Sequence, residues 1–575
     1  MDYFNIILYT DVNKKKMVKK IFSIFNREVK GLHEAAYLLA FFAFLSQLLG
    51  LVQDRILAST FGAGSLLDVY YSSFRIPDFI FATVASLVSL SVLIPFIAEK
   101  IKVGGDEPKK FIGSIFSFFS ILIFLTSIIV FFLVPYLIPV IFKGMNGSPQ
   151  LGELITMTRI LLLSPILLGF SNFFASITQI GKRFLIYALC PIFYNIGIII
   201  GIVFFYPFFG IYGLAYGVVL GAIMHLVIQL PFVFRSGYFC LDCIKIDWKE
   251  IRKTVAISIP RTITLGMSQL SILVLLGIAS LMQKGSITVF NFAFDLQSVP
   301  LSIIGVSYSV AAFPMLSKLF ADGNRETFFG HIITGARHII FWSMPVSIMF
   351  IVLRAQIVRV IYGAGRFDWS STKLVAATLA IFACSVIAQS LSLLFIRGYY
   401  AMGNTRKTLI TSLSTGILTI VFSFILLQIF NSSVFFRDFI ESLFRVDGTS
   451  DSSILMLALG FSLSAIINCI VLWFMFERNF KGFSSNVFYV LFQSFSASVI
   501  MGFVAYFSLN IFDDVFNLNT FVGIFMQGLC AGIVGIFIWF VVLKLLKSRE
   551  LEDAWRTIHK KIWNVKTAVP DMEEL

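Results

Sequence analysis

Asp54, Arg55, Asp68, Arg75 and Asp78 stand close together in a stretch that is otherwise apolar. Carboxylates and guanidinium groups so placed can neutralise one another. The guanidinium groups can also hold an anion, and their planar fork of donors suits phosphate. Asp68 and Arg75 are two helical turns apart, so a continuous helix presents both on one face, and Arg75 and Asp78 are neighbours one turn apart. A charge turned toward lipid at the bilayer centre costs at least about 2–3 kcal/mol. These side chains are therefore expected to face a bundle interior or a wet cleft. The plainer alternative is mutual pairing that only joins the first two helices. Further along, Arg261 follows Pro260, and Asp295 precedes Gln297 and Pro300. Each proline can free backbone groups and bend its helix beside a cavity. Arg159 reads equally well as a paired packing residue, whereas Arg354 and Arg359 read as snorkelling side chains near a helix end.

No other chemistry stands out. The chain has no metal-ligand spacing of histidines, no Gly-rich loop ending in Lys-Ser/Thr and no nucleophile elbow. The five His are dispersed, and His225, alone in an apolar span, reads as a satisfied interior residue. Cys240-Leu-Asp-Cys243 has metal or redox spacing without a second ligand pair. Cys190, Cys384, Cys469 and Cys530 lie in apolar runs and read as small buried hydrophobes. No enzyme activity, catalytic residue, metal or cofactor is expected.

The elements that carry the charges must be membrane helices. Of 575 residues, 58% are hydrophobic and 13% charged, against about 25% charged in an ordinary soluble protein. Apolar runs between polar breaks give about fourteen spans. They lie near 34–60, 68–98, 111–142, 153–180, 184–206, 210–235, 254–282, 287–318, 330–360, 371–402, 406–430, 452–478, 485–510 and 519–548. The alternating segments of a membrane barrel are absent, so the fold class is all-α and polytopic. The net charge of +14 could point to nucleic acid. In a membrane chain it reads instead as Lys- and Arg-rich cytoplasmic loops, and no nucleic-acid partner is expected. Most Lys and Arg fall in segments such as "EKIKVGGDEPKK", "GKR", "GNTRK" and the two termini, all on one side if the N-terminus is inside. Both termini are thus expected in the cytoplasm. The basic N-terminus lacks a cleavable apolar region and reads as a tail rather than a signal peptide.

The chain also repeats itself. Ser46-Gln47-Leu48 recurs as Ser268-Gln269-Leu270, "VIFKG" (140–144) as "VIYGAG" (360–365), and "QIGKRFLIYAL" (179–189) is echoed by "AMGNTRKTLITSL" (401–413). The offset stays near about 220 residues, which six duplicated helices explain; an even number per repeat relates the lobes by an axis along the membrane normal. The expected domains are a basic cytoplasmic tail (1–33), a first six-helix lobe (34–235), a cytoplasmic linker (236–253), a second six-helix lobe (254–480), two further helices (481–548) and a cytoplasmic tail (549–575). This is transporter architecture, with alternating access as its expected motion.

Ser46, Gly50 and Asp54, then Phe61-Gly62-Ala63-Gly64, Asp68, Phe74-Arg75-Ile76-Pro77 and Ile94-Pro95 followed by Ala98-Glu99 resemble the MurJ/MviN family. So do "FNFAFDLQSVPLSIIGVSYSVAAFPMLSKLF" (290–320) and "RGYYAMGNTRKT" (397–408). The resemblance covers nearly the whole chain. It implies a member of the multidrug, oligosaccharidyl-lipid and polysaccharide exporter group. Family members flip lipid II, the undecaprenyl-pyrophosphate-linked peptidoglycan precursor, between leaflets of the bacterial cytoplasmic membrane, a step in building the wall that sets cell shape. The implied partners are lipid II or a related polyprenyl-pyrophosphate lipid, membrane lipids and cell-wall synthesis proteins. The chain departs from the family pattern where Gln47 and Gln53 replace usual arginines, where 77–82 lacks an arginine pair, and where Asp295 aligns with an expected arginine. The carboxylates and Asn through which some members bind sodium are absent from 254–282 and 406–430. On this reading Asp54, Arg55, Asp68, Arg75, Arg261 and Asp295 line a polar cavity for an anionic headgroup, and helices 481–548 carry the lipid tail. Alternatives are an exporter of another polyprenyl-linked oligosaccharide, a drug antiporter, and a non-transporting cell-wall scaffold.

Overall fold

A computed structural model describes residues 32–88, 90–239, 246–449, 451–553 and 555–556. Most of the N-terminal tail, Cys240 and Cys243 of the linker, and residues 557–575 of the C-terminal tail lie outside the described residues. Every regular element among the described residues is helical, and thirteen helices are long and apolar enough to cross a membrane. The expected fourteenth, span two, is present in pieces: Ser65–Ser73, Arg75–Val84, a 3₁₀ turn over Ala85–Val88, and Leu90–Val103. Span eight is interrupted too. A π-helical turn, Leu301–Val306, separates Ser286–Pro300 from Ser307–Ala321. Pro300 has no N–H to donate, so a local change of register follows where the ordinary ladder cannot continue. Broken helices persist in a membrane only where protein or water can satisfy the released backbone groups.

The chain divides into two compact units, residues 1–288 with 364–368, and residues 289–363 with 369–575. The division falls after Thr288, later than the lobe boundary read from the repeat, because span seven, Trp248–Ala279, packs within the first unit. Ser258 Oγ donates to the Leu87 carbonyl at 2.8 Å, Thr262 and Ser86 hydroxyls meet at 2.8 Å, and Lys100 Nζ pairs with Glu250 at 2.7 Å. Small residues set the closest crossings. Gly197 and Gly201 face Gly213, Gly217 and Gly221, and a Cβ on Gly217 would lie 2.4 Å from the Gly201 Cα. Without a hydrophobic force between helices in lipid, such close backbone approach is what drives their association.

Much of the phenylalanine content is spent inside the units. In the first, Phe116 packs against Phe170, Phe173, Phe174 and Phe239. In the second, Phe395, Phe476 and Phe483 centre a buried cluster joined by Phe328 and Tyr399. Each such ring pair adds about 0.5–1.5 kcal/mol beyond area burial. Other aromatic side chains, including Phe132, Phe492 and Phe503, lie well exposed, as lipid-facing positions would.

Candidate functional site

The charged cluster of the first unit begins where span one, Leu32–Phe61, ends in Phe61-Gly62-Ala63-Gly64. Two other turns meet this one. Arg366 N–H donates to the Ser59 carbonyl at 2.9 Å. Gly285 and Gly365 both have positive φ, at 97° and 60°. A Cβ on Gly285 would lie 2.5 Å from the Ala63 carbonyl oxygen, and one on Gly365 only 2.1 Å from that of Ser59. Both positions therefore need glycine twice over, for the left-handed backbone and for the contact. The sequence "FGAG" at the end of span one and "YGAG" at 362–365 thus supply two of the three turns that close this end.

Asp68 ties the cluster together. Its carboxylate, 5% exposed, accepts from Gly285 N–H at 2.5 Å, Thr288 N–H at 2.9 Å and Thr288 Oγ at 2.8 Å. Those donors are the unsatisfied groups of the first turn of span eight, where a negative charge is favoured. Asp68 is therefore a cap supplied from a different helix. The expected pairing of Asp68 with Arg75 on one helical face is not found, because the helix is interrupted at Phe74 and the carboxylate is committed to the cap. The pattern could not reveal this, since its donors are a backbone N–H of a glycine and a threonine more than two hundred positions away.

Arg75 opens the helix Arg75–Val84, with Asp78 in its first turn. Tyr194, on the helix Phe184–Ile200, meets the His225 ring edge-on at 6.4 Å between centroids. The next residue of that helix, Asn195, donates to the Ser46 carbonyl at 3.0 Å and so fixes the helix to span one. Asp54 is buried on span one, and Arg55 beside it is half-buried. Arg261 is half-buried on span seven, next to Thr262, whose hydroxyl bonds Ser86. Asp54, Arg55, Asp68, Arg75 and Arg261 thus all belong to the first unit, whereas Asp295 belongs to the second. There Asp295 is half-buried, two positions before Gln297, whose Oε1 accepts from Gln389 at 3.2 Å.

The remaining polar residues sort more simply. Arg159 donates to the Phe131 carbonyl and stacks over the Phe131 ring at 4.8 Å, a packing role. His225 meets Ser171 Oγ at 2.7 Å, as a satisfied interior residue should. Cys190 and Cys469 are buried, but Cys384 is exposed on its helix.

Residues 57–527 match the family model described as Lipid II flippase MurJ. A probable lipid II flippase MurJ from Thermotoga maritima is 27% identical over 526 residues, covering 89% of this chain and 96% of that protein. One from Buchnera aphidicola is 26% identical over 485 residues, covering 83% and 90%. Among solved structures, a lipid II flippase MurJ in an inward closed conformation superposes with a TM-score of 0.70 at 22% identity, over 89% of this chain and 100% of that one. An inward-facing multidrug resistance transporter of the MATE family and MOP superfamily gives a TM-score of 0.63 at 15% identity, over 76% and 96%.

Proposed function

The chain belongs to the MurJ family of lipid II flippases, and on that premise we propose that it carries lipid II from the cytoplasmic to the outer leaflet of a bacterial cytoplasmic membrane. The family match over residues 57–527, most of the chain, is the observation that carries this reading. The headgroup bears a pyrophosphate, and Arg55, Arg75 and Arg261 of the first unit are the cations proposed to meet it. Each charge-assisted hydrogen bond of this kind contributes about 1.5–3 kcal/mol. Asp54 and Asp78 offset those charges when no substrate is bound, while Asp295 offers a negative counterweight in the second unit. Asp68 acts by position, holding span eight's first turn, and makes no substrate contact.

The undecaprenyl tail stays in lipid throughout, since removing it would cost about 0.8 kcal/mol per CH₂. The exposed apolar faces of Phe483–Asp513 and Phe521–Leu545 are the surfaces proposed to carry it. Both termini are placed in the cytoplasm by the distribution of Lys and Arg. In that orientation the Gly62, Gly285 and Gly365 turns form an extracytoplasmic closure, which must part for release. Membrane potential can drive the cycle through the cavity charges, at about 2.3 kcal/mol per charge per 100 mV.

The reading is tested in cells depleted of their own lipid II flippase. The wild-type chain is expected to restore growth, and Arg75→Ala or Arg261→Glu to fail at normal abundance. Growth restored equally by Arg261→Gln and Arg261→Glu would remove that arginine from the site, and failure of the wild-type chain would oppose the substrate assignment.

A further inference from the structure

A second charged site lies wholly within the second unit. A pocket of about 780 Å³ opens where Arg354–Tyr362, the start of Trp369–Ala401, the end of Val434–Phe444 and the facing ends of the last two spans converge. Arg354, Lys373 and Arg445 line it, with Asp447 and Asp513. Among the described residues none of these three cations forms an ion pair. Arg354 donates only to the Phe444 carbonyl at 3.2 Å, and Arg445 to the Tyr506 hydroxyl at 3.1 Å. Both carboxylates are otherwise engaged, Asp513 by Gln527 and Asp447 by Ser442. Arg354 and Arg445 face the same space, and Arg354 is only partly exposed. Two guanidinium groups and an ammonium thus face one space without a direct ion pair, the two carboxylates of the wall being held by Gln527 and Ser442.

The backbone fixes where Arg445 stands. Arg445 terminates its helix with φ 56° and ψ 44°, a left-handed conformation that glycine or asparagine adopts at less cost. That backbone turn directs the chain after the helix so that Arg445 and Asp447 both line the pocket. Arg354, expected to snorkel, is part of this wall.

We propose that this pocket binds a phosphate group at the membrane surface, with Arg354 and Arg445 gripping the phosphate oxygens and Lys373 supplying a third positive charge. Arginine forks match phosphate geometry, and a phosphate between them removes their mutual repulsion. Trp369 and Tyr506 on the wall are the residue types that sit at headgroup depth. Beside Tyr506, Phe503, Phe507 and Ile511 of the same helix are exposed, an apolar strip on which acyl chains can lie. The ligand is therefore a phospholipid with an anionic headgroup rather than a soluble phosphate. The charges of the site are separate from those of the first unit, while its apolar strip is part of the Phe483–Asp513 face that the lipid tail also follows.

Native mass spectrometry of the full-length protein, released from vesicles of equal phosphatidylglycerol and phosphatidylcholine, tests this. The wild-type chain is expected to retain phosphatidylglycerol at least tenfold over phosphatidylcholine, and Arg354→Gln/Arg445→Gln to lose that preference. Lys373→Arg should keep it and Lys373→Gln should weaken it severalfold, which gives a reading even where the double variant folds poorly. A parallel melting series with inorganic pyrophosphate distinguishes the source. Stabilisation of the wild type alone by pyrophosphate, without any lipid preference, would uphold the phosphate chemistry and overturn the lipid. Equal retention of both lipids and equal melting by wild type and Lys373→Gln would overturn the site.

Discussion

Replacing Asp68 by alanine removes the acceptor of three hydrogen bonds at the first turn of span eight. The Thr288 hydroxyl can rotate to another acceptor, but the N–H groups of Gly285 and Thr288 stay where they are, out of water. Loss of a helix cap costs about 0.5–2 kcal/mol, and a buried donor left unsatisfied costs about 1–3 kcal/mol. Because these terms overlap, about 2–4 kcal/mol is the expected loss for the state in which the turns at 62–64 and 285 are in contact. If the turns separate in the alternative state, where water reaches them, that state does not bear the loss. The balance then shifts toward it roughly 30-fold to several hundred-fold. The assay is the rate at which an impermeant maleimide labels Ala63→Cys in intact cells, with and without Asp68→Ala, alongside an immunoblot for abundance. Labelling should accelerate at least tenfold with abundance preserved. Asp68→Asn, which keeps one acceptor and loses the charge, should lie between. An unchanged labelling rate with normal growth would refute the assignment of Asp68 as the clasp of this closure.

Other expectations concern the frame. Lys100 is held above the ordinary lysine range by its hydrogen bond to Glu250. A raised lysine contributes stability below its unfolded value that is lost only as pH rises through the folded one. The stability lost in Glu250→Gln, about 0.5–1 kcal/mol for a partly exposed pair and read as a lower melting temperature, should therefore be constant from about pH 6 to pH 9, and a difference that vanishes by pH 9 would contradict the pair. Gly217→Ala should destabilise by about 1–3 kcal/mol because its methyl meets the Gly201 backbone, read as a lower melting temperature in detergent; an unaltered melt would show that the crossing can relax. For topology, cysteines at 105 and 323 should be shielded from an impermeant thiol reagent outside intact cells and those at 147 and 448 labelled, and labelling at 105 would invert the orientation.

Sequence periodicity was enough to locate nearly every membrane helix, because runs of apolar residues ended by charges and glycines have a single physical reading at this length. It also suggests a repeat, through short matches at a constant offset. It did not reveal that span two is broken at Phe74, since "SSFRIPDF" is apolar enough to continue a helix and its one proline sits within the first turn of the next. Nor did it give Asp68 its partner. A carboxylate near an arginine invites pairing, whereas an N-terminal turn of a distant helix offers donors that leave no trace in residue type. The pocket of the second unit was hidden for a related reason. Arg354, Lys373 and Arg445 come from three separate elements, and each alone looks like an ordinary charge at a membrane boundary. The arginines at 55, 75 and 261 stand out as candidates because a charge inside an apolar run is rare and costly.

The central claim is tested most directly by transport itself. The purified chain is reconstituted into vesicles loaded with fluorescent lipid II on the inner leaflet, and outer-leaflet exposure is followed with an impermeant quencher. The account predicts that the wild-type chain speeds exposure at least tenfold over protein-free vesicles, that Arg75→Ala and Arg261→Glu remove most of the gain, and that labelled phosphatidylcholine is not moved. Exposure of lipid II at the protein-free rate, or equal movement of phosphatidylcholine, would contradict it.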